Sequence, residues 1–133
     1  MAIMKYPLGE NEADKITSKT GKKLNEITIE EIKRGNVTAE DIKISKEVLN
    51  AQGQVARSVD NEAMAKNFER ASELVDVPDE VILRMYNQLR PNRSTKEELL
   101  NMAEDLEKTY KARNCAKLVR EAVAIYEKRG ILL

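Results

Sequence analysis

The chain contains no histidine and only one cysteine, so the side chains that most often do chemistry near neutral pH are almost absent. Without histidine it lacks the commonest general base and the commonest nitrogen ligand for zinc. Cys115 has neither a second cysteine nor a histidine to activate it. It falls on the apolar stripe of its helix and reads as a buried structural thiol. Three acidic pairs, Glu30-Glu31, Glu97-Glu98 and Glu104-Asp105, could serve acid–base work or hold a divalent cation. All are expected on outer helix faces, and the first two lie near helix starts. Carboxylates there cap backbone amides and meet the positive end of the helix dipole. A catalytic carboxylate needs a desolvated cleft, and nothing in the pattern specifies one. No phosphate loop, dinucleotide fingerprint or nucleophile elbow occurs.

Two groups of cations remain. Lys108, Lys111, Arg113, Lys117 and Arg120 form a row that could contact nucleic acid, but Glu104, Asp105, Glu107 and Glu121 interleave with it. That pattern describes a solvated face laced with ion pairs. The run Arg90-Pro91-Asn92-Arg93-Ser94 sets two guanidinium groups beside a helix start. There they could hold a carboxylate or phosphate, because free backbone N–H groups point the same way. The alternatives are a helix corner whose arginines pair with the protein's own acids, or a contact with an acidic residue of a partner chain. Over the chain, 23 basic residues balance 23 acidic ones, and residues 1–67 hold eleven of each sign. Binding driven by nucleic-acid or membrane phosphates needs clustered positive charge, so that class is remote.

The elements that must position these groups are helical. Residues 1–26 are expected as an extended arm, with a turn around Gly21, and residues 27–133 as a helical domain with a single core. Thr28 caps the amide of Glu31 and Gly35 supplies a left-handed stop, which frames a short helix. A brief turn opens at Thr38, and Ser45 caps a longer helix carrying Val48, Leu49, Gln52, Val55, Ala56 and Val59 at helical spacing. Gly53 inside that pattern costs about 1 kcal/mol relative to alanine and marks a break or a close approach. The stripe Met64, Phe68, Ala71 and Val75 defines the next helix. A helix follows from Asp79 to Arg90, ending before Pro91. Ser94-Thr95-Lys96-Glu97 reads as a capping box for a helix with the stripe Leu99, Ala103, Leu106 and Tyr110. A last helix carries Cys115, Leu118, Ala122 and Ile125 and stops at Gly130. No strand alternation or solenoid repeat appears, so the fold class is all-α.

The core material is modest: four Tyr, one Phe and no Trp, in a chain of 133 residues that is 35% charged. Two features exceed what a lone bundle needs. In the helix from Asp79 the inward stripe is Ile82, Met85, Tyr86 and Leu89. Val81 and Leu83, two positions apart and about 200° apart around the axis, flank it on both sides. The chain then ends Ile131-Leu132-Leu133, apolar after the last stop signal. Both features either complete an internal core or dock on another chain. Val81, Leu83, Arg90, Arg93, Ile131, Leu132 and Leu133 are therefore the candidate partner interface. Catalytic, cofactor and metal residues are assigned to none. The apolar run of a signal peptide is missing at the start and no stretch is long enough to span a bilayer, which with the lone cysteine favours the cytoplasm.

The run Asn67 to Leu74, then Val77-Pro78-Asp79-Glu80, Ile82-Leu83 and Tyr86 to Pro91, followed by Arg93 to Leu100, resembles one family closely. It is the small (gamma) subunit of the adenosylcobalamin-dependent diol and glycerol dehydratases. Further resemblance lies at Tyr6-Pro7-Leu8, Thr20-Gly21-Lys22, Asp41 to Ser45, Ala103 to Glu107 and Leu118 to Ala122, with Tyr126, so it covers nearly the whole chain. It implies a helical subunit that packs chiefly on a large subunit, in an assembly with two copies each of the large (alpha), medium (beta) and small chains. The adenosylcobalamin would lie between the large and medium subunits and the radical chemistry in the large one. The reaction implied converts glycerol or a 1,2-diol to an aldehyde with loss of water. No catalytic or cofactor residue is carried over to this chain.

Two departures accompany the resemblance. Small subunits from enzymes housed in bacterial microcompartments often carry an extra N-terminal segment. This sequence reaches Tyr6-Pro7-Leu8 almost at once, which leans toward the unencapsulated glycerol type. The ending Ile131-Leu132-Leu133 also differs from the basic tails associated with the family. The competing expectation is a free-standing helical adaptor, which would be a stable monomer with no affinity for dehydratase subunits.

Overall fold

A computed structural model describes residues 3–133. Contacts gather the chain into two compact units, one ending at Val75 and the other Asp76–Leu133.

In the first unit, the segment expected to be extended contains short helical pieces. Pro7, itself extended (φ −71°, ψ 136°), caps α1 (Leu8–Asn11), which buries Leu8. Its missing N–H is no loss there, because the first amides of a helix have no partner within it. Two 3₁₀ turns follow, Ala13–Lys15 and Leu24–Glu26, around a tight turn in which Gly21 has φ 91°. Across that turn Thr17 and Lys23 form an isolated antiparallel bridge, and among the described residues no strand forms.

The helix α2 (Ile29–Lys33) starts where expected, with Thr28 Oγ1 accepting from Glu31 N at 3.2 Å. The Glu31 carboxylate does not reach back to the cap; it accepts from Arg34 and Asn36, each at 2.7 Å. Gly35, at φ 79°, ends α2 with Gly35 N bonded to Ile32 O and Asn36 N to Glu31 O. That pair satisfies two carbonyls the helix would otherwise leave bare.

The remainder of this unit is an antiparallel pair, α3 (Lys46–Ser58) and α4 (Glu62–Leu74), capped by Ser45 on Val48 N and by Asn61 on Met64 N. Gly53 is buried and does not break α3. A Cβ there would stand 3.4 Å from Ala65 O and 3.4 Å from Phe68 Cβ, so the glycine marks the closest approach of the two helices. On α4 the fully buried residues are Ala65 and Ser72, while Met64 is 50% exposed, so the inward line sits one residue beyond the expected stripe.

The second unit is built from α5 (Asp79–Gln88), α6 (Lys96–Lys108) and α7 (Arg113–Arg129). The N-cap of α6 is Thr95, one residue later than the sequence suggested. Glu98 N donates to Thr95 Oγ1 at 3.2 Å, and Thr95 N donates to Glu98 Oε2 at 2.8 Å. Ser94 is buried instead and its hydroxyl donates to Gln88 O at 2.8 Å, tying the loop to the end of α5. α6 buries Leu99, Met102, Ala103 and Leu106 against α7. α7 buries Cys115, Ala116, Val119 and Val123. Leu118 and Ile125, expected inside, are 47% and 49% exposed. The helix presents small and β-branched residues to α6 and leaves the two larger apolar ones outside. Gly130 ends α7 in the left-handed region, as expected.

Candidate partner-docking surface

The groups that could have done chemistry are absorbed by structure. Cys115 is buried in α7, Glu98 caps α6, and Glu104 pairs with Lys108 one turn on. Asp105 accepts from the Thr109 hydroxyl at 2.6 Å, and Arg120 reaches Glu107 at 2.5 Å. The cationic row of α6 and α7 is thus ion-paired in part, at Lys108, Lys117 and Arg120 but not at Lys111 or Arg113, and hydrogen bonding to Lys108 holds Glu104 below the usual carboxylate range. Among the described residues no group of three or more Cys, Asp or Glu could hold a metal ion. A cavity of about 500 Å³ beside the α3–α4 junction is lined largely by apolar residues, among them Tyr6, Val55, Val59, Met64 and Phe68, with no carboxylate, lysine or arginine.

The first unit contains a buried carboxylate that no sequence motif singled out. Asp41, 5% exposed, accepts from Thr38 N at 2.6 Å, from the Thr38 hydroxyl, and from the Thr20 hydroxyl 21 residues earlier. The Thr20 hydroxyl is the main cause of its lowered pKa, followed by the Thr38 amide. This carboxylate clamps the Gly21 turn onto the 3₁₀ turn Ala39–Ile42. Beyond its place in the family resemblance, its signal in the sequence is its position three residues after Thr38, which the short box Thr38–Asp41 shares with ordinary surface caps.

What the fold leaves exposed is apolar. On α2, Ile29 and Ile32 lie one turn apart at 69% and 52% exposure; nearby Ile42 and Ile44 are also open to solvent. In the second unit α5 buries Met85 and half-buries Val81, Ile82 and Leu89. Tyr86, expected to face inward, is 68% exposed, and Leu83 is 63% exposed. Residues 83 and 86 are three apart, so Leu83 and Tyr86 share the outward side of α5, and Arg90 follows just beyond its end. Of the two flanking residues, Leu83 lies on that side and Val81 on the core side.

The remaining candidates meet at one end of this unit. The C-terminal residues lie along the α5–α6 loop: Asn92 N donates to Ile131 O at 2.8 Å and Leu133 N to Ser94 O at 2.9 Å. The Tyr126 hydroxyl donates to Leu89 O at 2.5 Å, fixing the end of α5 on α7. Ile131 and Leu132 are half-buried and Leu133 is exposed. Arg90 and Arg93 are both exposed beside them. So the structure brings Arg90, Arg93, Ile131, Leu132 and Leu133 together, with Leu83 one side of a helix away.

Among the described residues the chain is all-α and leaves large apolar side chains such as Leu83 and Tyr86 turned outward. Comparison with known proteins gives the family. The model of the dehydratase small-subunit family matches residues 1–133, and the chain belongs to that family. It is 44% identical over 127 residues to the propanediol dehydratase small subunit of Citrobacter freundii, covering 96% of this chain and 74% of that one. To the propanediol dehydratase small subunit of Salmonella typhimurium it is 45% identical over 127 residues, covering 96% and 73%.

Proposed function

We propose that this chain is the non-catalytic small subunit of a cobalamin-dependent dehydratase that converts glycerol or 1,2-propanediol to the corresponding aldehyde and water. The observation that carries this reading is the identity of 44–45% with two propanediol dehydratase small subunits along 96% of the chain. The larger partners are the large and medium dehydratase subunits, two copies of each with two of this chain, in the cytoplasm. No helix among the described residues is long and apolar enough to cross a membrane, which is compatible with that setting.

The donor set of this chain does not suit a cobalamin site. It has no histidine, its one cysteine is buried, and carboxylates such as Glu98 and Glu104 serve as a cap and a salt-bridge partner. As the family resemblance implies, adenosylcobalamin is assigned to the other subunits. The exposed apolar residues, Leu83 and Tyr86 foremost, are assigned to the interface with the large subunit, because water-exposed side chains of that size gain roughly 1.5–3 kcal/mol each when covered.

The test is co-expression of the tagged chain with large and medium dehydratase subunits, followed by aldehyde assays on glycerol and 1,2-propanediol with added adenosylcobalamin. Co-purification with cofactor-dependent turnover is expected. Recovery of the chain alone, as a monodisperse monomer, would instead point to a free-standing adaptor.

A further inference from the structure

We propose that the basic end of the second unit is a docking site for an acidic segment of a larger dehydratase subunit; this rests on the small-subunit reading above. The site is formed where three stretches meet. α5 ends at Gln88 and delivers Arg90; the loop that follows delivers Arg93; α7 ends in Lys128 and Arg129. Backbone bonds from Asn92 to Ile131 and from Leu133 to Ser94 hold the loop and the C-terminal residues side by side, so these four cations share one end of the unit.

Elsewhere in this unit the cations are matched in part, with Arg84, Lys111 and Arg113 also lacking a salt-bridge partner among the described residues. Lys96 bridges to Glu127 at 2.8 Å, Arg120 to Glu107 and Lys108 to Glu104. Among the described residues Arg90, Arg93, Lys128 and Arg129 have no salt-bridge partner. Lys128 and Arg129 sit in the last turn of α7, where the dipole favours them. Arg90 and Arg93 lie outside any helix and have no such local use. Glu127, the acid nearest in sequence, is already engaged by Lys96.

The patch is not purely charged. Half-buried Ile131 and Leu132 and exposed Leu133 lie within it, and the outward residues Leu83 and Tyr86 lead to it along α5. A surface of apolar side chains running into unpaired guanidinium groups complements a segment with apolar side chains and Asp or Glu at one end. Guanidinium groups suit this task because they bind carboxylates in pairs of parallel hydrogen bonds and are weakly hydrated. Nucleic acid is a poorer match: charge on the chain sums to zero, and acids interleave with the other cations of α6 and α7, pairing Lys108 and Arg120.

The test uses the assembly made by co-expression. Dissociation of the small subunit is followed against salt concentration for the unmodified protein, for Arg90→Glu/Arg93→Glu, and for Lys33→Glu in the first unit as a control. The double reversal should weaken association at least tenfold at about 0.15 M ionic strength and flatten its salt dependence, with the control unchanged. Circular dichroism of the free subunit monitors folding; if the reversal unfolds it, Arg90→Gln/Arg93→Gln replaces it and should weaken association in the same sense. Zero-length carbodiimide coupling of assembled Arg90→Lys/Arg93→Lys should join one of the introduced amines to an Asp or Glu of a larger subunit. Unchanged affinity and salt slope in a folded variant, or coupling only within the small subunit, would overturn the docking site and leave the small-subunit reading intact. Failure of the unmodified chain to join the larger subunits at all would overturn both.

Discussion

Asp41 and Gly53 show how single residues set the first unit. Asp41 is ionised and buried, held by two threonine hydroxyls and one amide. Its pKa is lowered in the folded protein, so its contribution to stability is present above the ordinary carboxylate value of about 3.9 and is lost as pH falls through the lower folded value. Asp41→Asn should therefore be less stable than the parent at pH 7, with the gap closing as pH falls below about 4; urea melts across that range would show it. A gap that stays constant with pH would mean that the amide fails for reasons of shape alone. Gly53 offers the opposite case. A methyl there meets Ala65 O and Phe68 Cβ at 3.4 Å, ordinary van der Waals contact, and α3 gains helix propensity. Gly53→Ala should stabilise by up to about 1 kcal/mol. Gly53→Val should destabilise by about 1–3 kcal/mol, because its added methyl groups have nowhere to go between the paired helices. Denaturant midpoints at constant slope would separate the two.

At the scale of elements, helix starts and stops were legible and helix rotations were not. Thr28, Gly35, Ser45 and Gly130 act as their positions imply, since caps and left-handed stops depend only on neighbours along the chain. The box before α6 shifted by one residue because Ser94 and Thr95 are both able caps, followed by two glutamates. Tertiary contact decides between them: Ser94 is drawn inward to Gln88 O, and Thr95 takes the cap. Thr95→Ala should then cost about 1 kcal/mol through the cap. Ser94→Ala should cost about 1–3 kcal/mol, because it leaves a part-buried carbonyl without its donor. Thermal melts of the two variants would test that division of roles; a harmless Thr95→Ala would show that Thr95 is not the working cap. In α7 the helical period fits two stripes, and choosing the bulkier one, with Leu118 and Ile125, picked the outward face. Size predicts burial only when a helix has one apolar side, and this helix has two. The arm failed for a related reason. Pro7 argues against a helix interior but not against a helix start, and Leu8 needed a buried place.

At the scale of the whole molecule the sequence marks a candidate surface where apolar residues exceed what a self-sufficient bundle needs. By spacing, Val81 and Leu83 both exceed the inward stripe of α5, and the structure separates them: Val81 is half-buried on the core side, while Leu83 is 63% exposed. Tyr86 was missed because its spacing from Ile82 and Met85 suits a core line equally well, and only the rotation of α5 turns it out. That separation sharpens the assembly test. A side chain already in water loses little when made polar, so Leu83→Asp should change the stability of the free subunit by no more than about 0.5 kcal/mol. In the assembled enzyme the same change would bury an unpaired carboxylate against apolar surface, a cost of several kcal/mol that association cannot offset. Co-purification with the larger subunits should therefore fall sharply while the circular dichroism of the isolated chain is unchanged. Val119→Asp, in the α6–α7 core at 3% exposure, should abolish both together. Loss of helicity in Leu83→Asp equal to its loss of assembly would show that this face is needed for folding, and the outward side of α5 would no longer be a docking surface.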